Sequence, residues 1–473
     1  MGLLLSLTFL LFGIGSAFIG LLITQPDAVF NFLIPLPPKA DVFPYNDRTW
    51  RATNEIPAKN SEIRPFRVDW PEKDLLDLKQ RLENTRYGSP ISDVKFTYGF
   101  PTGQVKKVVD YWLHKYDWRA QEAVLNQYPQ YLTAIEGLDI HFVHYAKPQV
   151  AAKPVNTFPI ALLHGWPGSF FEMYKLVPLL TTPRAIGEFD AVAFEVVIPA
   201  IPGFGFSDAA HTTGMDPCNI ARIYDKLMER LGHTKYYVYG GDWGTTIARC
   251  LTVMYPEKVL GLDLTMYPVS VVPTMIRTAV ASVAPSLVMD PTESYKLISN
   301  HLYTMLQEFG FTLLQSTKPD TIGAALSDTP AGLAVYILEK FTFFTRPEFI
   351  NRTDGGLTEH FTMDELLTNV MVYWITNSIQ SSVRIYKENC GYLNCGKLQE
   401  LPRYPVTVPT VLSDFHQEVA GINPPEAFVR PYFKKLVKVS RHPEGGHFSA
   451  MERPIELAED IWTVLTAVLQ NEV

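Results

Sequence analysis

The chain has 473 residues, 47% of them hydrophobic and 19% charged, with a formal net charge of −8. That balance excludes a disordered chain, leaves room for two domains, and argues against a nucleic-acid partner, which would demand a basic patch. Four cysteines, Cys218, Cys250, Cys390 and Cys395, are too few and too scattered for a disulfide framework and are expected to be buried free thiols.

From Gly2 to Thr24 no charged residue occurs, and Leu, Ile and Phe dominate. About twenty apolar residues are what a helix needs to cross the hydrocarbon core of a bilayer, so residues 1–25 read as a retained transmembrane anchor. A cleaved signal peptide is the rival, but it would carry a positive leading segment and a shorter apolar core. Met1-Gly2 with Ser6 also fits a myristoylation pattern, a weaker account of the apolar span behind it. Residues 26–61 include Pro35, Pro37, Pro38 and Pro44 and read as a stiff spacer. Next, Leu75, Leu76, Leu78 and Leu82 recur at helical spacing behind Trp70-Pro71, a suitable helix start. A second helical stretch is expected from Val105 to Gln127.

The pattern then changes. Short β-rich runs near 158, 193, 235, 258, 408 and 436 are bounded by turn residues and separated by helical segments. Such runs predict a parallel sheet buried on both faces, hence an α/β architecture. Between Leu264 and Val408 the alternation stops for a mostly helical stretch too long to be a loop, so a second domain is inserted there. Its aromatics Phe341, Phe343, Phe344, Tyr373 and Trp374 read chiefly as its core, with some free to line an apolar pocket. His141 and His144 alternate along a strand and read as structural rather than as ligands. No cofactor and no metal ion are expected.

The sharpest chemical signal is Gly240-Gly241-Asp242-Trp243-Gly244, after a strand and before a helical run. This is the nucleophile elbow of the α/β-hydrolase fold, with Asp in the place of Ser. A carboxylate is ionised at neutral pH and needs no base to attack carbon, forming an alkyl ester. A plain helix N-cap is the competing explanation for a lone Asp; the flanking glycines and the strand-turn-helix context favour the nucleophile. Upstream, Leu163-His164-Gly165-Trp166-Pro167-Gly168 follows a strand where this fold supplies an oxyanion-hole amide. The two expected donors are the backbone N–H groups of Trp166 and Trp243, and a cis Trp166–Pro167 bond would suit the tight turn. His447, in Gly445-Gly446-His447-Phe448 after the last strand, is the expected base, with His442 its nearest rival. By position alone, Asp414 and Glu418 are equal candidates for the acid that orients it.

With these motifs in order, the sequence resembles the microsomal and juvenile-hormone epoxide hydrolases. The resemblance runs from about residue 62 to about 470 and is carried by EIRPFRV, EGLDIHFVH, HGWPGSFFE, GGDWGTTIA, STKPDTIG, LAVYILEKF, DELLTNVMVYW, RIYKEN and GGHFSAMERP. It implies an α/β-hydrolase fold with a mostly parallel sheet, a helical lid and a family-specific N-terminal domain. The domains then fall at 62–150 (N-terminal domain), 151–267 and 405–473 (core) and 268–404 (lid). The resemblance also implies Glu418 as the acid and Tyr386 as the lid phenol that supports the epoxide oxygen. The family's second lid tyrosine falls on Phe311, which has no O–H to donate; Tyr303, further upstream, is a candidate substitute. Phe311 and Trp374 are expected in the substrate pocket. Substrates would be a small lipophilic epoxide and water, with the anchor holding the enzyme on the endoplasmic-reticulum membrane and the catalytic domain in the cytosol. Asn351-Arg352-Thr353 is a lone glycosylation sequon whose use would place that domain in the lumen instead. The rivals are a haloalkane dehalogenase, which shares the Asp nucleophile, and an inactive binder of lipophilic epoxides, which Phe311 keeps in view.

Overall fold

A computed structural model describes residues 61–146, 155–269, 272–389, 401–419 and 422–470. The expected anchor, nearly all of the Pro-rich spacer, and Cys390 and Cys395 lie outside these residues. Among the described residues no helix is long and apolar enough to cross a membrane.

Ten strands form one sheet in the order β1-β2-β3-β6-β4-β7-β8-β9-β10, with β5 pairing onto β6. They are β1 (Arg64–Phe66), β2 (Gln130–Ile135), β3 (Leu138–Tyr145), β4 (Asn156–Leu163), β5 (Arg184–Ile186), β6 (Phe189–Pro199), β7 (Tyr236–Gly240), β8 (Val259–Leu264), β9 (Val406–Phe415) and β10 (Phe433–His442). From β6 through β4, β7, β8 and β9 to β10 every neighbour is parallel. Those strands are the apolar runs of the sequence, and β7 is buried along its whole length. A strand covered on both faces has no reason to alternate. β1, β2 and β3 extend this sheet as an antiparallel margin.

The N-terminal region is helical where expected, with one correction. The helix Glu72–Glu83 begins directly after Pro71. The stretch from Val105 is two helices, Thr102–His114 and Trp118–Leu125, because the Asp117 carboxylate accepts from the Ala120 N–H at 3.1 Å and starts the second one. Between β8 and β9 lie the helices Val272–Ala281, Ile298–Glu308, Gly310–Thr317, Pro319–Ser327, Pro330–Thr345, Met363–Thr376 and Ile379–Asn389, which form the lid.

The N-terminal hairpin is tied to the core by charge. Glu136, in the β2–β3 turn, pairs with Arg222 at 2.8 Å and Lys226 at 2.7 Å on the helix Pro217–Arg230. Burial pushes the Glu136 carboxyl up, but the two cations outweigh it and hold the group down to about 2. A carboxylate held below its ordinary range stabilises the fold above that range, and the gain is lost as pH falls toward 2. Glu136→Gln is therefore expected to cost ~3 kcal/mol at pH 7 and visibly less at acid pH. Urea unfolding at pH 7 and pH 3.5 checks this; an equal cost at both would refute the ion pair as its source.

Cys218 and Cys250 form a disulfide, which corrects the expectation of free thiols for this pair. Sequence separation gave no sign that the helices Pro217–Arg230 and Trp243–Met254 pack side by side.

Candidate active site

The bend after β7 explains its glycines. A Cβ on Gly240 would stand 2.5 Å from the Gly244 carbonyl oxygen, and one on Gly244 would stand 2.1 Å from the Leu163 oxygen. Only hydrogen fits at either place. Between them Asp242 takes φ 49° and ψ −124°, a left-handed backbone that a non-glycine residue rarely adopts. Its side chain makes no capping bond to the helix Trp243–Met254, so the N-cap explanation fails. The Trp166 N–H donates to Asp242 Oδ1 at 2.7 Å, and Oδ2 faces His447 Nε2 at 3.5 Å.

Trp166 is placed by the loop after β4, where the Trp166–Pro167 bond is cis. A Cβ on Gly165 would fall 2.0 Å from Asp242 Oδ1, so the loop can lie against the carboxylate only with glycine there. His164 anchors the loop from behind: the Ile201 N–H donates to its Nε2 at 3.2 Å. Burial holds His164 down to about 4, so it stays neutral and supports structure.

His447 follows β10 and is almost wholly buried. Its Nδ1 lies 2.8 Å from Glu418 Oε1, while the Val419 N–H donates to that same oxygen at 2.8 Å. Burial disfavours the imidazolium, but the Glu418 and Asp242 carboxylates outweigh it and hold the group well above the ordinary histidine range. The resting site is thus a cation between two carboxylates. Asp414, equal to Glu418 by position, is bound by the Lys296 ammonium and by Asn423. His442 is turned to Asp460, at 2.5 Å.

The lid closes the site with aromatic rings. Tyr386 is buried edge-on to Trp243 (centroids 4.8 Å, 88°) and Trp166 (5.8 Å, 90°). Burial, then the nearby Asp242 charge, holds its phenol well above the usual range, so it stays protonated. Phe311 stacks on Trp166 at 5.4 Å and meets Tyr386 at 6.0 Å. It therefore occupies the reacting centre with a ring that cannot donate. Tyr303 does not substitute for it: the side chain is 73% exposed and its hydroxyl accepts from Gln307 on its own helix. Trp374 is a second correction. It lies under the Arg81 guanidinium, 5.9 Å from the ring centre, against the N-terminal region. Its neighbour Tyr373, one position round the helix, instead donates to the Gly168 carbonyl at 2.5 Å.

A model described as the epoxide hydrolase N terminus matches residues 63–173, and one described as the alpha/beta hydrolase fold matches residues 159–285. Juvenile hormone epoxide hydrolase 2 of Ctenocephalides felis is 41% identical over 425 residues, 89% of this chain and 90% of the relative. Epoxide hydrolase 1 of Oryctolagus cuniculus is 41% identical over 429 residues, 89% and 93% of the two chains. The chain belongs to the epoxide hydrolases. The crystal structure of juvenile hormone epoxide hydrolase from the silkworm Bombyx mori aligns with TM-score 0.82 at 37% identity, over 88% of this chain and 96% of that one. The Aspergillus niger epoxide hydrolase aligns with TM-score 0.68 at 28% identity, over 88% and 98%. As an epoxide hydrolase this protein is an enzyme that adds water across a strained ring.

Three residues of this epoxide hydrolase escaped sequence reasoning. Tyr336 brings a second phenol to the site, with its ring 5.9 Å from Trp166 and its hydroxyl accepting from Gln315 at 3.1 Å. Burial raises it to about 12, so it too keeps its proton at neutral pH. Glu172 is buried beside Gly168 and pushed up to about 8 by burial, with Asp242 and Glu418 adding to the rise against the pull of His447. It sits near the triad without a charge to disturb it. Glu452 accepts from the Gly446 and Phe448 N–H groups, both at 3.0 Å, and so clamps the backbone on either side of His447. The only available hint was their place inside the HGWPGSFFE, LAVYILEKF and GGHFSAMERP motifs.

Proposed function

We propose that this epoxide hydrolase works through an ester on Asp242. Oδ2 attacks the less hindered epoxide carbon, while Tyr386 hydrogen-bonds the ring oxygen and protonates it as the C–O bond breaks. Without an acid that oxygen would leave as an alkoxide, a poor leaving group. The product is a hydroxyalkyl ester with Oδ1 as its carbonyl oxygen. Esterification removes the negative charge of Asp242, so His447 loses one of the two carboxylates that favour its protonated form. It can then give up its proton, which restores the Tyr386 phenol, and, oriented by Glu418, take one from water. The hydroxide attacks the ester carbonyl carbon, and the Trp166 and Trp243 amides hold the oxyanion until the ester C–O bond breaks; the departing alkoxide takes the proton of the Asp242 acid, which leaves the diol and restores the carboxylate. The observation that carries this reading is the two-sided placement of one carboxylate: Oδ1 on the Trp166 amide at 2.7 Å, Oδ2 toward His447 at 3.5 Å.

Repeated turnover of styrene oxide in heavy-oxygen water tests it. Label is expected in the Asp242 carboxylate as well as in the diol. Label confined to the diol would mean direct attack by water on the epoxide.

Phe311 gives a second test. Phe311→Tyr adds a hydroxyl beside Trp166 and Tyr386, and ester formation is expected to speed up roughly 10-fold or more. Tyr386→Phe is expected to slow it by ~10²-fold. Stopped-flow tryptophan fluorescence in single turnover reads both; an unchanged rate in Tyr386→Phe would remove that phenol from the mechanism.

The apolar, aromatic lid favours lipophilic epoxides, and the uncharged span from Gly2 to Thr24 supports anchoring at the endoplasmic-reticulum membrane. The Cys218–Cys250 disulfide and the exposed Asn351 of the sequon favour a lumenal face over the cytosolic one, because disulfides persist in oxidising compartments. Endoglycosidase sensitivity of the membrane-bound protein decides between the two faces.

A further inference from the structure

Three side chains that the reaction does not use converge at the other end of β7 from the nucleophile. His144 Nε2 lies 2.6 Å from Glu195 Oε1, and His233 Nε2 lies 3.1 Å from the same oxygen. All three donor atoms fall within 4.8 Å of one another. The fold brings them from separate places. His144 pairs with Val197 across β3 and β6, and Glu195, two residues before Val197, shares that face. His233 belongs to the turn after the helix Pro217–Arg230, where its N–H bonds the Met228 carbonyl at 2.9 Å. The two imidazoles meet at 83° with centroids 6.2 Å apart. They address one point rather than stack.

The Glu195 carboxylate is short of a counter-charge. Among the described residues its ion pairs are with these two histidines, and no Lys or Arg reaches it. His233 Nε2 is buried yet has no well-aligned hydrogen bond; its approach to Glu195 has the wrong angle for an N–H donor. Coordination needs no proton there, only a lone pair. The three side chains remain 14–18% exposed.

We propose that His144, Glu195 and His233 form a binding site for a divalent transition-metal ion of the zinc class. Two imidazoles and one carboxylate are ordinary zinc ligands, and they leave a fourth position for water. Tetrahedral bonds of about 2.0–2.1 Å set ligand atoms roughly 3.3 Å apart. The His233 separation of 3.1 Å is close to that already. The His144 separation of 2.6 Å opens to it by a small rotation of either side chain. The ion would tie the N-terminal hairpin to β6 and to the approach to β7. Its effect is on stability and not on turnover, because the whole of β7 separates His233 from Asp242.

Untagged enzyme, stripped with chelator, is titrated with Co2+ and Zn2+. The proposal expects one equivalent of Co2+ with the intense visible absorption of a four-coordinate ion, displaced by Zn2+, and a melting temperature that rises with Zn2+. His233→Ala is expected to lose at least tenfold in metal affinity while keeping kcat on styrene oxide within twofold. His144→Gln gives the same readout should His233→Ala not fold. Wild-type enzyme that retains no metal at ~100 µM, a concentration far above ordinary zinc-site dissociation constants, overturns the proposal. So does a folded variant that binds as tightly as wild type.

Discussion

Asp242→Ala is expected to lower diol formation by at least ~10⁴-fold, with Asp242→Asn behaving alike. The size follows from the site's geometry. The Trp166 N–H donates to one oxygen of this carboxylate, and the other oxygen faces His447. Without a carboxylate the epoxide carbon has no resident partner, and His447 loses one of the two charges that hold its proton. The variant should remain folded, since the left-handed backbone at this position already carries the strain of a non-glycine residue. Steady-state assay with lipophilic epoxides, alongside a melting curve, measures both quantities. Activity within tenfold of wild type in a folded variant would end the ester mechanism.

His447→Gln is expected to separate the two halves of the reaction. Attack by Asp242 needs no base, so a burst of one equivalent should still form. Hydrolysis of that ester needs a proton acceptor for water, and Gln cannot supply one. Multiple turnover should fall by ~10³-fold or more, and the enzyme should gain the mass of one substrate in intact-protein mass spectrometry. Glu418→Gln should slow the same step less severely, because the imidazole survives but loses the partner at 2.8 Å that orients it. A His447→Gln enzyme that turns over freely with no mass gain would assign the base elsewhere.

Local features of the chain were the legible ones. The largely apolar runs of β4, β6, β7, β8 and β9 announced a doubly covered parallel sheet, because burial of both faces removes any alternation. The glycines around Asp242 announced a sharp bend, because such a bend excludes a Cβ. Asp117 is legible in principle as a helix start, but it lies inside a longer helical pattern that hides the break. Motif resemblance then pointed to Glu418, which position alone did not separate from Asp414. Lys296 separates them in space: it binds Asp414 from a different part of the chain.

What composition and short-range pattern determined by themselves was the α/β architecture, the elbow and the order nucleophile, acid, histidine. Tertiary structure alone decided that Tyr336 faces the reacting centre and that Trp374 turns to Arg81. It alone joined Cys218 to Cys250 and gathered His144, Glu195 and His233. The reason is range: backbone bends and burial periodicity act over a few residues and leave their mark there. Side-chain pairing acts between residues remote in sequence, whose distance is set only when the sheet and lid have packed.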